Sequence, residues 1–122
     1  MKQEIIIATA ALFGFLSIVL GAFGTHALKK ILSSEQQKSF ETGVKYQMYH
    51  AIVLLVLGFN FDNTNSIIYW CFTLGVLLFS FSIYALVVSD AKKKKMRFLG
   101  PITPIGGLLL AAGWVLLLLN II

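Results

Sequence analysis

Apolar positions dominate the chain in three long runs, with polar residues gathered between them. The first run, Ile5 to Leu28, carries no ionisable group except His26 and stops at Lys29-Lys30. Another, Ile67 to Val88, has no charged residue. The last opens with Thr103 as the expected N-cap and Pro104 at the first helical position, where a missing N–H costs nothing, and continues to Ile122. A helix crosses a bilayer with about 20 mainly apolar residues, so each run predicts a transmembrane span.

A fourth span is needed between the first two loops, but its purely apolar run, Ala51 to Phe59, is only nine residues long. Asn60, Asp62, Asn63 and Asn65 follow, and this composition reads as a loop. The span therefore extends backward, from about Thr42 to Phe61, and takes Lys45, Gln47 and His50 into one leaflet. Ahead of it, Ser34 and Gln37 have capping-box spacing, and Phe40, Val44, Met48 and Ile52 recur at helical intervals. A short cytoplasmic helix is predicted there, with Glu41 and Lys45 in the favourable order for a surface pair.

Nine of the ten Lys and Arg residues lie on one side of these spans: Lys29, Lys30, Lys38 and Lys45 in and after the first loop, and Lys92, Lys93, Lys94, Lys95 and Arg97 in the third. Only Lys2 lies on the other. Positive residues stay in the cytoplasm, so both termini are expected outside it, in a cell inner membrane. Composition agrees, with 58% hydrophobic and 12% charged residues and a mean hydropathy of +0.87, against about 25% charged in soluble domains. The net charge of +5 belongs to topology and not to a nucleic-acid partner. Met1 to Leu28 is too long an apolar run, with too weak a basic start, for a cleaved signal peptide. The single cysteine, Cys71, excludes an internal disulfide.

Three stretches carry a family resemblance: Gly21-Ala22-Phe23-Gly24-Thr25-His26-Ala27-Leu28, Thr42-Gly43-Val44-Lys45-Tyr46-Gln47-Met48-Tyr49-His50-Ala51, and Gly100-Pro101-Ile102-Thr103-Pro104-Ile105-Gly106-Gly107. Together they resemble the YgdD-like family of small four-span membrane proteins, over nearly the whole chain. The resemblance implies a four-helix membrane protein and brings no substrate, cofactor or catalytic residue with it. Thr25 stands where such sequences usually have Ala, and Phe81 where Gly is usual, which bears on any close helix contact that Gly would make.

On the second span, Gly43, Tyr46, Gln47, His50 and Leu54 share one face, and Lys45, Tyr49, Ile52 and Val56 another. The first face is expected to point inward, since Gln47 and His50 need partners away from lipid; His26, Thr25 and Tyr84 are the candidates, with both histidines expected at one depth. Two readings stand side by side: a polar pocket for a ligand, and hydrogen-bonded glue between helices. The pocket's candidate ligand-binding residues are His26, Lys45, Tyr46, Gln47, His50 and Tyr84. Lys92 to Lys95 and Arg97 are candidates for anionic lipid, near a helix N-terminus that also favours anions. Small residues four apart, Ala10 and Gly14, Gly21 and Thr25, Gly107 and Ala111, serve helix contacts within the bundle or in a homo-oligomer.

The expected fold is all-α: an antiparallel four-helix transmembrane bundle in a single domain. The leading function is binding of lipid or an amphipathic small molecule at the cytoplasmic leaflet, with the lipid bilayer as partner. The alternatives are a small transporter or proton-coupled permease, and a haem- or quinone-linked redox subunit. No cofactor and no metal site is assigned, and no enzyme is expected, because no nucleophile has a base and orienting acid near it.

Overall fold

A computed structural model describes residues 2–60, 65–94 and 96–121, all helical or in short connections. Helix α1 (Gln3–His26) is apolar nearly throughout. Helix α2 (Ser34–Phe59) follows a tight turn. Helices α3 (Ser66–Val76) and α4 (Ser82–Ala91) form one rod joined by a π turn, Leu77–Phe81. A 3₁₀ turn, Arg97–Leu99, leads into α5 (Ile102–Ile121). Three helical stretches are long and apolar enough to cross a membrane: α1, the α3–α4 rod, and α5 with its preceding turn. Residues 61–64, with the end of the expected second span and Asp62, lie outside the described residues.

The expected short helix before the second span is not separate. Helix α2 runs unbroken for 26 residues, about 39 Å at 1.5 Å per residue. Its capping box is set one residue earlier than expected: the Ser33 hydroxyl accepts from the Gln36 N–H (3.2 Å) while Gln36 Oε1 accepts from the Ser33 N–H (2.9 Å). Gln37 is thereby free to turn toward α1, where its Nε2 donates to Gly24 O (3.0 Å). At the other connection, Thr103 does not cap α5. The helix starts at Ile102, and Pro104 is its third residue, still among the N–H positions that lack intrahelical partners. The Thr103 hydroxyl instead shares a 2.5 Å hydrogen bond with Ser82 of α4.

Helix α1 packs along the whole length of α2, in opposite direction. Gln3 Nε2 donates to Gly58 O (2.9 Å) at one end, Gly14 faces Ala51 in the middle, and Phe40 covers Gly24 at the other. The second pairing is α3 and the π turn on α5, with Phe72 against Gly113, Leu110 against Gly75, and Phe79 against Gly106. Helix α4 turns instead toward α2: Ser80 Oγ at its edge donates to Gly43 O (2.7 Å) and Gln36 Nε2 donates to Asp90 Oδ2 (2.8 Å). The small-residue pairs therefore serve packing within the chain, Gly21 at Val44 and Gly107 at Phe79. Phe81 lies in the π turn with its ring edge-on to Phe13 and Tyr84. A close helix-to-backbone approach falls on Gly106, against Leu78 and Phe79.

The rod ends in a Schellman motif, with Lys94 N–H donating to Ser89 O (2.8 Å) and Lys93 N–H to Asp90 O (3.0 Å). Lys93 takes the left-handed position usually given to Gly, at φ 60°.

Gly106 and Gly107 form a matched test. A Cβ on Gly106 would collide with Phe79 N and come within 2.6 Å of the Leu78 carbonyl carbon, backbone that cannot rotate aside, whereas on Gly107 it would make ordinary 3.5 Å contact with the Phe79 ring. Gly106→Ala is expected to lower the thermal midpoint in detergent by the equivalent of about 1–3 kcal/mol. Gly107→Ala leaves the midpoint unchanged or raises it.

Candidate functional site

Gln47 is fully buried where α1, α2 and α4 meet. Its Nε2 donates to Phe13 O (2.9 Å) on α1, and its Oε1 accepts from the Tyr84 hydroxyl (2.7 Å) on α4. Phe13 O also accepts from Ser17 Oγ (2.8 Å), a local bond within α1. The face predicted to point inward does so at Gly43, Gln47, His50 and Leu54, and Tyr84 is the partner expected for Gln47; Tyr46, at the margin, stays 41% exposed against the Phe79 ring.

His50 has its own partners. Nδ1 lies 2.7 Å from Tyr46 O, and Nε2 lies 3.1 Å from Trp114 Nε1 of α5. The carbonyl only accepts and the indole N–H only donates, so both bonds form in one state alone: the neutral imidazole with its proton on Nδ1. Phe72 and Trp114 pack against the ring, at centroid distances of 5.5 and 6.0 Å.

His26 does not share this level. It is exposed at the last residue of α1, while Ala51, next to His50, stands opposite Gly14. Twelve residues of α1 separate Gly14 from His26, about 18 Å along the axis. The cause is the early start of α2, which makes His50 its seventeenth residue and carries it toward mid-helix. One chain thus does not bring its two histidines to a common metal or haem. Among the described residues no group of three or more His, Cys, Asp or Glu gathers. Thr25 bonds its own helix, donating to Gly21 O (2.8 Å).

Concavities open along the α1–α2 seam. A chamber of about 220 Å³ is lined by Gly21 and Thr25 of α1 and by Gln37, Phe40, Glu41, Val44 and Lys45 of α2. A second, of about 420 Å³, adjoins it through the shared Gln37 and Glu41, and is ringed by Lys29, Leu32, Ser33, Ser34 and Lys38. Lys29, Lys38 and Lys45 thus surround a mouth with an apolar floor of Gly21, Phe40 and Val44. Gln37 Oε1, buried at the junction, has no hydrogen-bond partner.

Of the residues predicted for a ligand, only Lys45 lines this mouth; His26, Tyr46, Gln47, His50 and Tyr84 do not. Lys29, Lys38, Gln37 and Glu41 were missed, although Lys38, Glu41 and Lys45 share a flank of α2 by their spacing. The other predicted basic group is exposed around the 3₁₀ turn: Lys92, Lys93, Lys94 and Arg97, beside an outward Phe98 (69% exposed). Lys95 lies outside the described residues.

Comparison with known proteins bears on these features. A family model described as a protein of unknown function, DUF423, matches residues 20–107, which take in the mouth, Gln47 and Gly106. The UPF0382 membrane protein of Staphylococcus haemolyticus is 38% identical over 97% of this chain and 95% of its own length. The UPF0382 inner membrane protein YgdD of Escherichia coli K12 is 35% identical over the full chain and 92% of its own length. No solved structure matches.

The Gln47 network is expected to act on stability. Gln47→Leu strands the Tyr84 hydroxyl and is expected to lower the thermal midpoint in detergent by the equivalent of about 1–2 kcal/mol. Lys45→Ala, at the open mouth, leaves it unchanged.

Proposed function

Because the chain belongs to the DUF423 (UPF0382) family of membrane proteins, we propose that it is an inner-membrane protein of four antiparallel spans that binds anionic lipid or a similar amphiphile at the cytoplasmic leaflet. The lysine-ringed mouth between α1 and α2 carries this reading.

Pairing supports the fourth crossing. Helix α1 is apolar enough to span, and α2 lies along it from Gly58 at Gln3 to Gln37 at Gly24. A neighbour in contact over that length shares its depth. The polar residues that keep α2 from qualifying alone are accounted for individually: Gln47 and His50 are hydrogen-bonded inside, and Lys45 is near enough to the helix end to reach the interface. Orientation follows from the nine basic residues at one end, which puts Lys2 and both termini on the non-cytoplasmic side.

At the cytoplasmic surface, each Lys contributes roughly 1 kcal/mol of attraction to an anionic leaflet. Lys29, Lys38 and Lys45 around two adjoining concavities favour a head group there over a dispersed ion cloud. The exposed Phe98, among Lys94 and Arg97, suits a loop resting in the same head-group layer. The polar core lends no support to a transport path or a redox centre, since both nitrogens of His50 and both polar atoms of Gln47 are already engaged.

Two measurements test the reading. On a Cys71→Ser background, Lys94→Cys is expected to be protected from an impermeant maleimide added outside intact cells, and Lys2→Cys to be labelled; the reverse inverts the topology. In native mass spectrometry, the protein is expected to retain phosphatidylglycerol in preference to phosphatidylcholine. Replacing Lys29, Lys38 and Lys45 with Ala removes that preference, and a preference that survives the triple change refutes the site.

A further inference from the structure

The mouth has a continuation toward the middle of the membrane. A third concavity, of about 210 Å³, lies on the α1–α2 seam between Ala10, Ala11 and Gly14 of α1 and Met48, Ala51 and Leu55 of α2. No charged side chain lines it. On α1, Ala10, Gly14, Gly21 and Thr25 follow one another at intervals of four and seven, and on α2 so do Gln37, Val44, Met48 and Leu55. Residues so spaced stay on one helix face, so the three concavities lie along the same flank of the seam. From Ala10 to Thr25 the line extends about 22 Å.

We infer that this line is one binding furrow, in which a long acyl chain of an anionic phospholipid lies against Gly14 and Ala51 while its phosphate sits among Lys29, Lys38 and Lys45. The inference rests on the proposed head-group site and adds the part of the lipid recognised below it. Polarity changes along the furrow as it does along such a lipid: Lys29, Lys38 and Lys45, outnumbering Glu41, at one end and only apolar groups at the other. Small side chains keep the lower part open. A Cβ on Gly14 would find its nearest atom, Ala51 Cβ, at 4.0 Å, so the concavity has space that the protein leaves unfilled. A preference for long chains over short ones follows, as does preference among head groups.

The test is a chain-length series by native mass spectrometry, with dioleoyl-phosphatidylglycerol, dihexanoyl-phosphatidylglycerol, oleate and inorganic phosphate as probes. The dioleoyl lipid is expected to bind at least tenfold more tightly than the dihexanoyl form, and oleate and inorganic phosphate more weakly than either. Gly14→Leu, which fills the lower concavity, is expected to remove the dioleoyl advantage and leave dihexanoyl binding as it was. Ala11→Leu, at an exposed position on the same lining, gives the same result if Gly14→Leu does not fold. Dioleoyl binding untouched by either leucine, yet lost with the three lysines replaced by Ala, overturns the furrow and leaves the head-group site standing. Binding untouched by the lysine changes as well overturns both. Equal binding of oleate and the dioleoyl lipid overturns the assignment to a phospholipid.

Discussion

A helix that packs along the apolar α1 while carrying Lys45, Gln47 and His50 must find a place for each polar group, and the arrangement of the other helices follows from how it does so. Hydrocarbon offers no hydrogen bonds, so an amide facing it is left unpaired at a cost of several kcal/mol. Gln47 faces Phe13 O and the Tyr84 hydroxyl, which fixes the rotation of α2 against α1 and α4 together. His50, one turn on, reaches Trp114 and ties in α5, which packs mainly on the α3–α4 rod. With those two residues oriented inward, the geometry of an α-helix leaves Lys45 on the flank where the mouth opens. The flank where the mouth opens and the stabilising flank of α2 are thus two consequences of one rotation.

The sequence revealed those features that a single helix determines. The inward face of α2 was legible because its polar residues sit at helical spacing, and Tyr84 was found because a buried glutamine needs a partner at its own depth. Trp114 was not foreseen: α5 is apolar all round, so periodicity marks none of its faces as the one that meets α2. The capping box was ambiguous for a plain reason. Ser33 and Ser34 are each followed three residues later by Gln, and contacts elsewhere, Gln36 with Asp90 and Gln37 with Gly24, choose between them. A second span starting near Thr42 sets His26 and His50 at one depth; eight more residues of helix carry His50 two turns deeper. The mouth itself is a property of two helices side by side and has no signature in either alone.

Glycines supply the close contacts in both pairings. Gly24 and Gly58 admit Phe40 and Ile7 on the α1–α2 side, and Gly75 and Gly113 admit Leu110 and Phe72 on the α3–α5 side. Gly106 differs from these, since it meets backbone and not the tip of a side chain. In a protein with little water-driven attraction between its helices, such contacts replace bulk burial as the source of cohesion.

The π turn at Leu77–Phe81 has a consequence for the rod as a whole. A π turn takes in one residue more than the α-helical turn it replaces, so the side chains beyond it are advanced in phase by about 100° relative to an unbroken helix. Before the turn, Phe72 and Gly75 address α5; within it and beyond it, Ser80 and Tyr84 address α2. The rod works as a crank: one continuous helix with two offset faces, able to hold two neighbours that no single stripe along it would reach. With Gly106 seated against the backbone of Leu78 and Phe79, the crank is clamped at its throw.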